Sequence, residues 1–147
     1  MQFKTILFAT DFSEGSDFAF KPALALARKF DGKLLVVHII NEPVDLRGFY
    51  VPHISFDKLE EEIEQGAEKL MEKFCHAHMK DFSNYETFVL PGIPYDEIIK
   101  KAVEFNADLI VLGTHGRTGL DHVLFGSTAE KVVRKSPVPV MTIRIQE

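Results

Sequence analysis

Two stretches of this chain carry residue types that could handle an anionic ligand. The longer is Gly113-Thr-His-Gly-Arg-Thr-Gly-Leu-Asp-His-Val-Leu-Phe-Gly-Ser127, straight after the apolar run Leu109-Ile110-Val111-Leu112. Gly113 and Gly116 permit backbone conformations barred to other residues and let a ligand come close to the main chain. Gly126 leads to Ser127 and Thr128, whose hydroxyls stand at a helix start. There, N–H groups without intrahelical partners and the positive end of the dipole favour a phosphate. Arg117 could add a cation beside Thr114 and His115. The same glycines serve equally well as a strand stop, a turn and a helix cap, because isolated glycine patterns recur without function. The shorter stretch, Thr10-Asp11-Phe12-Ser13, follows Ile6-Leu7-Phe8-Ala9. A carboxylate at Asp11 either caps the next helix, in competition with Ser13 and Ser16, or meets a ligand hydroxyl or a metal shared with phosphates.

Other chemistry-bearing residues have plainer readings. His115 and His122 flank the glycine loop and read as solvated or hydrogen-bonded. His38 lies inside an apolar run and reads as a core histidine satisfied by backbone. Cys75, His76 and His78 resemble a metal cluster on paper, but helical residues two apart point to different sides, which argues against zinc. Glu60-Glu61-Glu62 reads as a solvated face. Neither a Gly-x-x-x-x-Gly-Lys-Ser/Thr loop nor a Gly-x-Gly-x-x-Gly after the first strand occurs, so any phosphate is held differently.

The elements that must position these residues follow from hydrophobic periodicity. Ile6–Ala9, Leu34–Ile40, Thr87–Leu90, Leu109–Leu112 and Val138–Ile145 are nearly continuous apolar runs, as strands need when helices cover both faces of a sheet. Pro137 and Pro139 put the last strand at an edge. Helical spacing covers Ser16–Phe30, Asp57–Lys80, Tyr95–Phe105 and Thr128–Lys135, with Pro91-Gly92-Ile93-Pro94 as a loop before the third. Pro22 implies that the first helix begins near Lys21 or is kinked in its first turn. Asp57–Lys80 reads as a long solvent-facing helix. This βαβ alternation predicts one doubly wound parallel sheet, with ligands outside the carboxyl ends of its strands. The loop Asn41–Phe56 is long enough to cover that crevice.

Composition bounds the function. With 147 residues, 46% hydrophobic and 13 of them Phe, the chain reads as one domain over residues 1–147. Such a chain buries roughly 69% of its unfolded surface. A net charge of −5 argues against nucleic acid as the main partner, since phosphate-backbone affinity rests on clustered Lys and Arg. No apolar run is long enough to span a bilayer, and Met1-Gln2-Phe3-Lys4 leads into a strand rather than a signal peptide. The lone Cys75 fits a reducing, cytoplasmic setting.

Gly113-x2-Gly116-x9-Gly126-Ser127 resembles the signature Gly-x2-Gly-x9-Gly-Ser/Thr of the universal stress protein family, in its ATP-binding branch. The likeness runs through Ile6–Ser13, Val36–Ile40 and Ser136–Val140, and so along essentially the whole chain. The resemblance implies a Rossmann-like α/β sheet of order 3-2-1-4-5, with its reversal between strands one and four. It further implies ATP, or ADP or AMP, bound there with Mg²⁺. Ala9, Thr10 and Asp11 would lie beside ribose, phosphates or metal, and the backbone at Ile39 or Ile40 would meet adenine. Gly113, Gly116, Gly126 and Ser127 would hold phosphates, with Thr114, His115, Arg117 and Thr128 completing the contacts. Ala9 stands where many ATP-binding members have proline or valine, and Pro22 is unusual; neither removes a polar contact. The implied role is an ATP-binding regulatory protein of the stress response, homodimeric through its C-terminal strand and acting on an unidentified protein partner. The alternatives are slow ATP hydrolysis, with Asp11 on the metal and His115 orienting water, or a nucleotide-independent interaction module.

Overall fold

The computed structural model describes residues 1–41, 56–115 and 125–145. Strands β1 (Thr5–Ala9), β2 (Lys33–Asn41), β3 (Tyr85–Gly92), β4 (Leu109–Gly113) and β5 (Val140–Ile143) form one sheet of order β3-β2-β1-β4-β5. Every pairing is parallel, with Ile6 of β1 opposite Leu34 of β2 and Leu109 of β4. The crossovers are the helices α1 (Glu14–Lys29), α2 (Phe56–His78), α3 (Pro94–Glu104) and α4 (Ser127–Lys135). This is the expected doubly wound, Rossmann-like sheet, with its reversal at β1.

The pleat of β1 divides the core. Ile6 and Phe8 face one side with Leu34, Val36 and Val111, under Phe20 and Ala23 of α1 and Met71 and Phe74 of α2. Leu7 faces the other with Leu35, Val37 and Ile110, under Ile98 and Ala102 of α3 and Ala129 and Val132 of α4. Phe8, Phe20 and Phe74 meet pairwise at centroid separations of 5.1 to 6.0 Å. Each such aromatic pair adds about 0.5–1.5 kcal/mol beyond burial. With a helix over each face, the strands read as unbroken apolar runs.

Several boundaries differ from the sequence reading, for local reasons. Helix α1 starts at Glu14 rather than near Lys21, because Ser13 caps it by accepting from the Ser16 N–H at 3.2 Å. Pro22 sits inside the helix and removes one intrahelical donor. β3 runs on through Pro91 and Gly92, opposite Ile40 and Asn41, where a loop was expected. An edge strand tolerates that proline. β5 is also an edge and begins at Val140, two residues late. Pro139 precedes it, contributing only its carbonyl, which accepts from the Ile110 N–H at 2.9 Å. Glu60, Glu61 and Glu62 are exposed, as expected. No helix among the described residues is long and apolar enough to cross a membrane. The proposed cover loop lies outside the described residues apart from its ends, as does His122.

Candidate functional site

The carboxyl end of β1 is tied by a compact hydrogen-bond knot. Thr10 continues the ladder one residue past β1, its N–H donating to the Val37 carbonyl at 2.9 Å. Its buried hydroxyl oxygen accepts from the Ser16 hydroxyl at 2.7 Å and from the Phe12 N–H at 3.0 Å. The Asp11 carboxylate accepts from the Ser13 N–H at 2.9 Å, and the Ser13 hydroxyl caps α1. Asp11 is therefore not the helix cap; it orders the turn before it. Phe12 takes the left-handed conformation, φ 63°, which costs a bulky residue about 1–3 kcal/mol and persists only where its surroundings impose it. Its ring lies 4.4 Å from that of His38. The His38 Nδ1 donates to the Thr10 carbonyl at 2.8 Å, which places a proton on that nitrogen because a carbonyl can only accept. His38 is thus half-buried and backbone-bonded, as its sequence position implied, and it also helps hold the strained turn.

The far side of the crevice is built from β4 and α4. The Thr114 N–H donates to the Ile143 carbonyl at 3.0 Å, and the Gly126 N–H donates to the Thr114 carbonyl. That second bond fastens the start of α4 to the end of β4. Gly126 is the N-cap of α4, in an extended conformation with no side-chain cap. Its helix leaves the first-turn N–H groups without intrahelical acceptors. Glu130, the one acid of that turn, is drawn off to Arg134 at 2.8 Å. The His115 ring Nδ1 lies 2.9 Å from the Thr114 hydroxyl.

One expected role is corrected. Gly113 was read as permitting conformations barred to other residues and a close approach of ligand; the first is not used, since Gly92 is the only glycine at positive φ among the described residues. A Cβ on Gly113 would lie 3.3 Å from the Gly15 carbonyl oxygen, and one on Gly15 would lie 3.0 Å from that of His115. Their smallness lets the start of α1 press against the end of β4.

These pieces enclose a cavity of about 730 Å³. Ala9, Thr10 and Asp11 line it from β1, Ile39 and Ile40 from β2, Gly113, Thr114 and His115 from β4, and Gly126, Ser127 and Thr128 from α4. Gly116 and Arg117, the other expected contacts, lie outside the described residues. The sequence reading missed the contributions of Ser16 and His38 and two helical walls: Ile63, Gly66, Ala67 and Leu70 of α2, and Pro94 and Ile98 of α3. α2 had been read as facing solvent; the detectable signal was Gly66, a poor helix former in mid-helix.

The cavity is chemically polarised along the sheet order. Its β2 side sets Val37, Ile39 and Ile40 beside the polar His38 and Asn41, its centre carries the Asp11 carboxylate, and its α4 side offers hydroxyls and a helix N-terminus. Outside it, burial pushes the Asp17 carboxyl up, opposed by His78 and reinforced by Asp11 and Glu14. Burial likewise raises the Cys75 thiol, while the neighbouring Tyr85 lowers it. The His78 ring packs on Phe74 at 4.6 Å, and no group of three potential metal ligands occurs among the described residues.

Comparison with known proteins agrees with this architecture. The solved structure of MJ0577 matches with a TM-score of 0.86 at 28% identity, covering 100% of this chain and 99% of that one. The universal stress protein MJ0531 of Methanocaldococcus jannaschii is 31% identical over 144 residues, 97% of this chain and 82% of the relative. A universal stress protein from Archaeoglobus fulgidus, solved in complex with dAMP, matches at a TM-score of 0.68 and 25% identity, covering 97% of this chain and 99% of that one. The Universal stress protein family model matches residues 2–144. With fold, sequence and glycine-serine signature in agreement, the chain belongs to the universal stress protein family.

Proposed function

We propose that this chain is a single ATP-binding regulatory domain of the stress response, holding ATP, ADP or AMP in the cavity between β1 and β4. The observation that carries the reading is the shared cavity, which joins Val37, Ile39 and Ile40 of β2, the Asp11 carboxylate and the start of α4 at Gly126. Their order matches base, ribose and phosphates. The dAMP complex of the Archaeoglobus fulgidus relative supports the ligand class. Phosphates would take the N–H groups of Ser127 and Thr128 at the positive end of α4.

Mg²⁺ fits the donors present. It is bound by one or two carboxylates together with phosphates, and Asp11 offers one half-buried carboxylate. When bound, Mg²⁺ would neutralise phosphate charge that otherwise repels Asp11 in a chain of net charge −5. Asp11 then orients ribose or metal, while the Ser13 bond holds its carboxylate in place.

Among the described residues the edge strand β5 pairs only with β4, and a second copy would remove the hazard of an exposed edge. The reading therefore includes a homodimer through β5, an unidentified protein partner and a cytoplasmic setting. His115 on the cavity wall supports a second reading, slow ATP hydrolysis. Titrating the protein with ATP, ADP and AMP at physiological Mg²⁺ tests the first reading. Saturable binding of at least one is expected, and silence from all three with the fold intact refutes it. Light scattering at high micromolar concentration tests the dimer, and ADP release by Asp11→Ala against the native chain tests hydrolysis.

A further inference from the structure

Helix α2 has a face that its role in the core does not explain. Ala67, Met71 and Phe74 are buried, but beside them on the same face Ile63 is 42% and Leu70 44% exposed. Between them sits Gly66. A Cβ added there would meet nothing within 4 Å, so no packing among the described residues requires glycine. Mid-helix glycine is unfavourable relative to alanine by about 1 kcal/mol, so Gly66 costs helix stability with no contact among the described residues to offset it. Residues 63, 66, 67 and 70 share one helical face. All four line the cavity, as do Val37, His38, Ile39, Ile40 and Asn41 of β2.

We infer that Ile63, Gly66 and Leu70 form an apolar shelf against which the base of the bound nucleotide lies flat, with the missing Gly66 side chain leaving the thickness of the ring. The inference rests on the nucleotide reading above and adds a specificity determinant to it. The shelf offers no side-chain donor or acceptor, so it reads area and shape. A purine covers more of it than a pyrimidine, and apolar contact scales with area. ATP is therefore favoured over CTP, independently of anything at the phosphate end.

Gly66→Ala and Gly66→Leu test this, because both replacements are good helix formers entering open space. Gly66→Ala is expected to raise the melting temperature by about 2–4 °C. Gly66→Leu, by filling the shelf, is expected to weaken ATP at least tenfold in calorimetric titration and to bring the ATP/CTP affinity ratio close to one. An unchanged ATP affinity in Gly66→Leu, equal affinity of the native chain for ATP and CTP, or a loss that leaves the ratio intact each overturns the shelf while leaving nucleotide binding standing. A native chain that binds neither nucleotide removes both the shelf and the reading beneath it.

Discussion

Two of the helix N-termini that border the crevice, those of α1 and α4, are finished in opposite ways. α1 is closed: Ser13 caps it from within, and its first turn carries Glu14 and Asp17, which occupy the positive end of the dipole. α4 is open: its N-cap is Gly126, no side chain among the described residues caps it, and its single first-turn acid is paired with Arg134. On the proposed reading, an anion entering the cavity is repelled by the first and received by the second. The contrast teaches that the character of a helix start depends on what it lacks as much as on what it has.

The comparison breaks most severely if α4 is closed in the same manner as α1. Gly126 is extended, φ −68°, so another residue fits its backbone. Gly126→Asp supplies both a cap and a negative charge. Its ATP affinity should fall at least 100-fold, about 2.7 kcal/mol. Its melting temperature should hold or rise slightly. Affinity within threefold of native, measured by calorimetry, would remove the phosphates from α4.

Asp11→Asn comes next. It keeps an oxygen for the Ser13 N–H and removes only charge. Mg²⁺-ATP should weaken about tenfold, or about 1.4 kcal/mol. The loss should shrink when Mg²⁺ is withheld; equal losses with and without it would place Asp11 away from any metal. Ser13→Ala reverses the pattern. Loss of its cap should cost about 1 kcal/mol of stability, roughly 3–4 °C in melting temperature, with ATP affinity changed by less than threefold. A large affinity loss with little stability change would show that α1 is part of the ligand site.

The smallest effect concerns Asp17. Its carboxyl lies above the ordinary value of 3.8 chiefly because burial disfavours its charge. The fold therefore binds its proton more tightly than the unfolded chain does. The stabilisation is present below pH 3.8 and is lost as pH rises through the folded value. Asp17→Asn should thus be slightly more stable than native in urea at pH 7, and the advantage should vanish below pH 3.8. A variant less stable at pH 7 would mean that the attraction of His78 and the α1 dipole outweighs desolvation.

Much of the fold was legible because parallel strands buried on both faces print themselves as unbroken apolar runs. β1 and β4 were located within a residue of their ends for that reason. Asp11 and Ser127 were also legible, because residues just past a buried strand or opening a helix must fall at the crevice. Other features depend on partners distant in sequence. The role of Gly113 follows from Gly15, nearly a hundred residues away, pressing against it. The left-handed Phe12 is held by His38 and the Thr10 knot, which no local propensity encodes. β3 continues through Pro91 because the strand is an edge, a property of the whole sheet. The α2 wall was hidden because a stripe facing a cavity has the same periodicity as one facing a core.

The central claim is that the open start of α4 receives the phosphates. Amide resonances of the ¹⁵N-labelled protein, followed during titration with Mg²⁺-ATP, test it most directly. Saturable shifts centred on Ser127 and Thr128, with Ser13 and Glu14 nearly still, are the predicted result. ATP binding that moves the α1 amides while leaving Ser127 and Thr128 unmoved would contradict it.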